Sequence, residues 1–162
     1  MTVLREEVWK KMLTAELNER YWQYLTQRYV KYDKWLKIFL AIMSSGTVAS
    51  WSIWKADDYA IIWKSLSSIS AVVAMIQPFL NYAQVTKETE QLAHKWIELA
   101  SAYQSLWFEV ENDLDEKKIK EAYKKIENMQ VDIEKREIKI PVDKKLICLC
   151  QSEVKKLRGL IK

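Results

Sequence analysis

A charge-free stretch of the chain, SLSSISAVVAMIQPFLNYAQV (Ser65 to Val85), carries amide and hydroxyl side chains at helical spacing. If the stretch is a helix, six small or polar residues fall within one arc about 100° wide, opposite an apolar side. These six residues, the polar stripe, are Ser67, Ser70, Ala74, Gln77, Asn81 and Gln84. Hydroxyls and amides form hydrogen bonds to water, ions or other helices, so the stripe is a candidate functional surface.

The charge-free stretch is about as long as a helix that crosses a bilayer. An amide that faces hydrocarbon loses its hydrogen bonds to water at a cost of about 2–7 kcal/mol. A single helical hairpin cannot enclose the polar stripe, which therefore predicts a central path lined by several copies of the chain. About four to six subunits, a tetramer included, suit a narrow path. The alternative is a dry oligomer in which the amides form hydrogen bonds between helices.

Lysines in the C-terminal half form a second candidate site. The residues that could bind the phosphates of a signal molecule are Lys117, Lys120, Lys124 and Lys125. Acidic residues, Glu116 and Glu121 among them, interleave with these lysines. The alternative is an ordinary solvated face of a helix.

Signatures of catalysis are weak in this sequence. Gly46 and Gly159 are the only glycines, which excludes a glycine-rich phosphate-binding loop. The single histidine, His94, has Glu90 and Glu98 one helical turn to either side, but no second histidine completes a metal site. We therefore expect no enzymatic activity, no cofactor and no metal.

The composition predicts an all-α protein. Only two glycines and two prolines occur in 162 residues, which favours long helices joined by few turns. We expect an amphipathic helix over residues 1–34, a transmembrane helical hairpin over 35–85, and further helices over 86–162. The hairpin is expected to have spans at about 35–54 and 60–85 with a turn at 55–58. A water-soluble bundle with two buried core helices is the alternative.

Aromatic residues are expected to mark the ends of the two spans, where tryptophan and tyrosine favour the membrane interface. The predicted belt consists of Trp35, Trp51, Trp54, Tyr59, Trp63 and Tyr82. The first span offers a face of small residues that allows close helix packing, namely Ala41, Ser45, Ala49 and Ser52. Basic residues flank the hairpin on the side of the termini, at Arg28, Lys31, Lys34, Lys37, Lys87 and Lys95. This excess predicts that both termini are cytoplasmic.

The C-terminal part reads as a series of amphipathic helices. The first presents one apolar face formed by Leu92, Trp96, Leu99, Tyr103, Leu106 and Val110. A turn is expected near Asn112, and Pro141 is expected to separate the second helix from a final one over about residues 142–160. With the N-terminal helix, these elements predict a four-helix cytoplasmic bundle.

The layout of an amphipathic helix, a close hairpin and long C-terminal helices resembles the bacterial SLATT family of two-transmembrane effectors. The matching features are Ala93, His94, Ala100, Tyr103, Leu106, Glu109, Glu111 and Pro141. The resemblance implies a pore-forming or membrane-disrupting effector of the inner membrane that acts during phage infection. It also implies control by a nucleotide or oligonucleotide signal from a partner nucleotidyltransferase, and no catalytic residues.

Two other kinds of protein share parts of this pattern. A non-conducting, membrane-anchored adaptor that recruits a cytoplasmic partner predicts the same hairpin but does not require the polar stripe. A holin-like protein predicts a large, unselective hole and a smaller cytoplasmic part, which the long charged C-terminal half disfavours.

Overall fold

A computed structural model describes residues 2–44, 57–112, 116–137 and 140–160. All regular secondary structure in these ranges is helical, which confirms the expected all-α class. The helices are α1 (Thr2–Ser44), α2 (Asp57–Leu80), α3 (Tyr82–Glu111), α4 (Glu116–Lys135) and α5 (Lys144–Leu157). The chain divides into unit 1, Met1–Thr26 with Lys87–Lys162, and unit 2, Gln27–Thr86.

Unit 1 has a hydrophobic core to which all four of its helical segments contribute. The six residues predicted to form the apolar face of α3 are all buried. Met12 of α1, Ile119 of α4 and Cys150 of α5 are each at most 1% exposed. Because each helix is amphipathic, packing the four apolar faces together removes them from water, and this burial is the main stabilising term.

Hydrogen bonds between helices fix the arrangement of unit 1. The Tyr103 hydroxyl of α3 donates to Gln130 Oε1 of α4 at 2.9 Å, inside the core. The Tyr24 hydroxyl of α1 donates to Glu153 Oε1 of α5 at 2.8 Å. Asp143 caps α5 by accepting from the backbone N–H groups of Lys145 and Leu146.

Unit 2 has no comparable core among its described residues. No described side chain between residues 27 and 86 is buried. Large apolar side chains are exposed there, and they are Val30, Tyr32, Trp35, Ile38, Ile42, Ile69, Val72, Met75, Ile76, Phe79 and Leu80. Tyr82 lies near Tyr29 and Tyr32, with ring centroids 6.2 and 6.3 Å apart respectively.

In the part of the chain that the structure describes, no helix combines the length and the hydrophobicity needed to cross a membrane.

Several predicted boundaries differ from the structure. The second span does not continue to residue 85, because α2 ends at Leu80 and α3 begins at Tyr82. Asp57 and Asp58 are the first residues of α2 and not part of a turn, in keeping with the preference of acidic residues for helix N-termini. Unit 1 ends at Thr26, before the predicted boundary at 34, although α1 itself continues to Ser44.

Candidate functional sites

The first four members of the polar stripe lie on α2. Ser70 and Gln77 are half-buried and Ala74 is exposed, whereas the side chain of Ser67 lies outside the described part of the structure. The residues on the opposite side of α2, Val72, Met75 and Ile76, are large and exposed. The helix therefore presents a polar face and an apolar face, both accessible in a single copy of the chain.

Asn81 interrupts the polar stripe. Its φ is +39°, a left-handed conformation that asparagine tolerates better than most residues do. Its carbonyl accepts from the backbone N–H groups of Gln84 and Val85, and its side-chain Nδ2 donates to Gln84 Oε1 at 3.0 Å. The sequence prediction of one unbroken arc was wrong beyond Gln77, because it assumed that helical geometry continued through this residue.

The residues of the predicted aromatic belt fall into two groups. Trp35 is 69% exposed on α1, and Tyr82 is half-buried at the start of α3. Trp51 and Trp54 lie outside the described residues, and Tyr59 and Trp63 lie on α2 with side chains that are not described. In the predicted small-residue face, Ala41 is exposed on α1, whereas Ser45, Ala49 and Ser52 are outside the described residues.

The lysines predicted to bind a signal lie on the exposed side of α4. Lys117, Lys120 and Lys124 share the face opposite the buried Ile119 and Ile126, and Lys125 lies beside them. Lys120 Nζ pairs with Glu116 Oε1 at 2.7 Å, and Glu121 lies on the same side of the helix. The surface is thus a mixed, solvated one, and its phosphate binding stays a prediction.

A cleft in unit 1, which sequence reasoning missed, brings together aromatic and charged side chains from α1, α3 and the end of α5. Its volume is about 660 Å³, within the range of small-molecule sites. We call it the tryptophan cleft, and its principal lining residues are Trp9, Met12, Gln104, Trp107, Phe108 and Arg158. Glu111 lines it too and also contributes to an adjoining recess beside Arg5.

The tryptophan rings of the cleft are in contact with each other and with guanidinium groups. The ring centroids of Trp9 and Trp107 are 4.9 Å apart, with their planes inclined by 50°. Arg5 lies over the Trp107 ring at 5.5 Å, and Arg158 lies over the Trp9 ring at 5.9 Å. Such cation–π contacts hold rings and guanidinium groups in defined positions.

A buried carboxylate holds two of the residues that line the cleft. Glu16 is 3% exposed, and its carboxylate accepts hydrogen bonds from Arg158 and from Gln104, the latter at 2.8 Å. Burial alone would raise the pKa of Glu16, but the hydrogen bonds from Arg158 and Gln104 outweigh it and hold the pKa below its usual range. Glu16 is therefore ionised at neutral pH and balances the charge of Arg158.

The sequence contained only a partial signal for the tryptophan cleft. Eight tryptophans are many for this length, but their number fits a core, a membrane interface and a ligand site equally well. The cleft pairs Trp9 with Trp107 and Glu16 with Arg158, residues that are far apart in the chain. Helical periodicity places each residue on a face but does not say which faces meet.

Among the described residues no group of three or more histidine, cysteine or acidic side chains is placed to hold a metal ion. No protein-family profile matches the chain, and no curated protein or solved structure is significantly similar to it.

Proposed function

We propose that this protein is a membrane effector that forms a homo-oligomeric, ion-conducting pore in the bacterial inner membrane, gated by a nucleotide-type signal. The observation that carries the proposal is the exposure of large apolar side chains throughout the described part of unit 2, with no buried core there. Contiguous exposed apolar surface marks a membrane or protein interface. Lipid, together with further copies of the chain, would cover this surface.

The polar face of α2 supports a path in preference to a simple anchor. Gln77 carries an amide that hydrocarbon does not satisfy, whereas Val72 and Met75, on the side of α2 away from it, suit lipid. Several copies around an axis would place each polar face inward and each apolar face outward. This arrangement would satisfy the amides with water and ions along the path.

The orientation and the signal have separate supports. The Lys/Arg residues that flank the hairpin favour cytoplasmic termini, so unit 1 would meet a cytoplasmic signal. A nucleotide or oligonucleotide made by a partner nucleotidyltransferase, and a role in abortive infection, are supported by the resemblance to the SLATT family.

The proposal is tested by ion flux from liposomes that contain the full-length protein. We expect potassium efflux on addition of an activating member of a panel of mononucleotides, cyclic dinucleotides and linear oligonucleotides. Gln77→Leu should change the flux at least severalfold, because it replaces a polar group on the proposed path. Met75→Leu is the matched control, since Met75 is 73% exposed on another face and the substitution keeps its apolar character.

Two results would contradict the pore. One is the absence of flux with every ligand in the panel although the protein is inserted in the liposomes. The other is an equal effect of Gln77→Leu and Met75→Leu on a measured flux.

A second candidate function is a non-conducting, membrane-anchored adaptor. The hydrogen bond between the Asn81 and Gln84 side chains favours it, because it satisfies two members of the polar stripe within one chain. The adaptor predicts insertion into liposomes without ion flux. The same experiment therefore separates the two functions.

A further inference from the structure

The tryptophan cleft has the chemistry of a site for a planar heteroaromatic ligand. We propose that it binds a nucleoside or mononucleotide through the base, with an exocyclic amino group on that base as the preferred donor. The aromatic surface of the cleft, its hydrogen-bond acceptors and its charges all suit such a ligand.

The aromatic side chains of the cleft are partly exposed to solvent, unlike the other tryptophans of unit 1. Trp22 and Trp96, the other tryptophans of unit 1, are 4% and 1% exposed. Trp9 and Trp107 are only half-buried, and Phe108 is 64% exposed. Aromatic side chains gathered in a concave site provide stacking surface for a base, and every base has a π-face.

The acceptors of the cleft suit an amino group. Gln104 Nε2 donates to Glu16, which fixes the amide, while Gln104 Oε1 accepts no hydrogen bond from the described residues. The Glu111 carboxylate also lines the cleft, and it is exposed at the end of α3. Adenine, guanine and cytosine carry exocyclic amino groups that donate to such oxygens. A base without that group would leave the half-buried Gln104 Oε1 without a donor from the ligand, which weakens binding.

The charges of the cleft do not favour a dense phosphate group. The Arg158 guanidinium is bonded to the buried Glu16 carboxylate, and the adjoining recess is lined by the acidic Glu6 and Glu111 as well as by Arg5. Binding energy should therefore come from the base, with a small contribution from phosphate and a weak dependence on salt. Binding to the exposed lysines of α4 would instead depend mainly on phosphate and would weaken strongly with salt.

A role of the cleft in gating rests on the proposed function, whereas nucleoside binding to the cleft does not. Binding is measured without any ion flux, so a failure of the pore and a failure of this site are distinguishable. A cleft that binds nucleosides in a non-conducting protein would fit the adaptor.

Titration calorimetry on the full-length protein in detergent tests the site with five probes. The probes are adenosine, AMP, purine riboside (which lacks the 6-amino group), ribose 5-phosphate and inorganic phosphate. We expect adenosine and AMP to bind within about threefold of each other and purine riboside at least about fivefold more weakly. Ribose 5-phosphate and inorganic phosphate should give no measurable binding.

Variants locate the binding. Trp107→Ala should weaken adenosine binding by about 5- to 100-fold, the usual effect of losing one stacked aromatic ring, whereas Trp107→Phe should retain most of the affinity. Phe108→Ala tests the same surface at a side chain that contributes little to the core. Trp35→Ala removes an exposed tryptophan of unit 2 and should leave adenosine binding unchanged.

Three outcomes would overturn the inference. They are no binding of adenosine or AMP, binding of ribose 5-phosphate as tight as that of AMP, and equal losses of affinity in Trp107→Ala and Trp35→Ala.

Discussion

Units 1 and 2 use the same kind of helix in opposite ways. In unit 1 the apolar faces of four helical segments meet, and the largest side chains, such as Trp96 and Tyr103, are at most 1% exposed. In the described part of unit 2 the large apolar side chains are exposed, Phe79 by 86%. One chain therefore contains a region that is stabilised by its own core and a region whose described side chains form no such core.

The polar side chains of the two units also differ in how exposed they are. In unit 1 the buried side chains of Glu16 and Gln130 form hydrogen bonds with Arg158 and Tyr103 respectively, whereas the buried indole N–H of Trp96 has no hydrogen-bond partner among the described residues. On α2 the polar face is accessible in a single copy. The described part of unit 1 therefore has its own packed core, whereas the described part of unit 2 leaves large apolar side chains exposed.

The largest expected effect concerns the two kinds of apolar residue. Leu99→Ala in unit 1 should lower the free energy of unfolding by about 2–5 kcal/mol, because it leaves a cavity in a packed core. Met75→Ala in unit 2 should change it by less than about 0.5 kcal/mol in detergent, because the side chain is already exposed. Urea denaturation followed by circular dichroism measures both. Equal losses of unfolding free energy in Leu99→Ala and Met75→Ala would contradict the difference between the two units.

The next effect concerns the buried ion pair. Arg158→Leu should destabilise unit 1 by about 3 kcal/mol, near the lower end of the range for a buried pair because Arg158 is one-quarter exposed. Most of this loss is the cost of a buried carboxylate without its partner. The double variant Glu16→Leu/Arg158→Leu should therefore recover part of the stability. A double variant that is as unstable as the sum of both single ones would contradict the coupling.

Acid should weaken unit 1 through the same carboxylate. Because the folded-state pKa of Glu16 lies below its usual value of 4.5, this stability is present above about pH 4.5 and is lost as the pH falls through the folded-state pKa. Melting temperatures between pH 7 and pH 3 measure the loss. Glu16→Gln should flatten this dependence, whereas Glu98→Gln, a change at an exposed position of α3, should not.

The smallest effect sharpens the description of unit 2. Asn81→Gly should preserve the break between α2 and α3, whereas Asn81→Leu should cost about 1–2 kcal/mol locally because of its positive φ. Amide exchange of Gln84 and Val85, whose N–H groups bond to the Asn81 carbonyl, reports the change. Faster exchange in Asn81→Gly than in Asn81→Leu would contradict the assigned strain.

Much of unit 1 follows from the sequence alone. The spacing of Leu92, Trp96 and Leu99 identified a buried helix face, because a period of 3.6 residues has one interpretation when the other positions are polar. The end of α3 near Asn112 was also predicted. The sequence did not indicate which helix faces pack against each other. The tryptophan cleft and the Glu16–Arg158 pair are therefore visible only in the structure.

Unit 2 was less predictable for two physical reasons. A break at a single residue in the left-handed region leaves the hydrophobic pattern on both sides intact, so Asn81 gave no signal beyond its residue type. A proline inside a helical pattern can either kink the helix or end it, and α2 ends two residues after Pro78, at Leu80. The polar stripe is a property of a helix, and it ends where the helix ends.

The most direct test of the central claim measures what covers the apolar surface of unit 2. The full-length protein is mixed with liposomes that contain brominated lipid, and the quenching of tryptophan fluorescence is compared with that of Trp35→Phe after flotation. The account predicts that the protein floats with the liposomes and that the substitution removes part of the quenching. A protein that stays in the detergent-free buffer as a monodisperse monomer, without quenching, would contradict it.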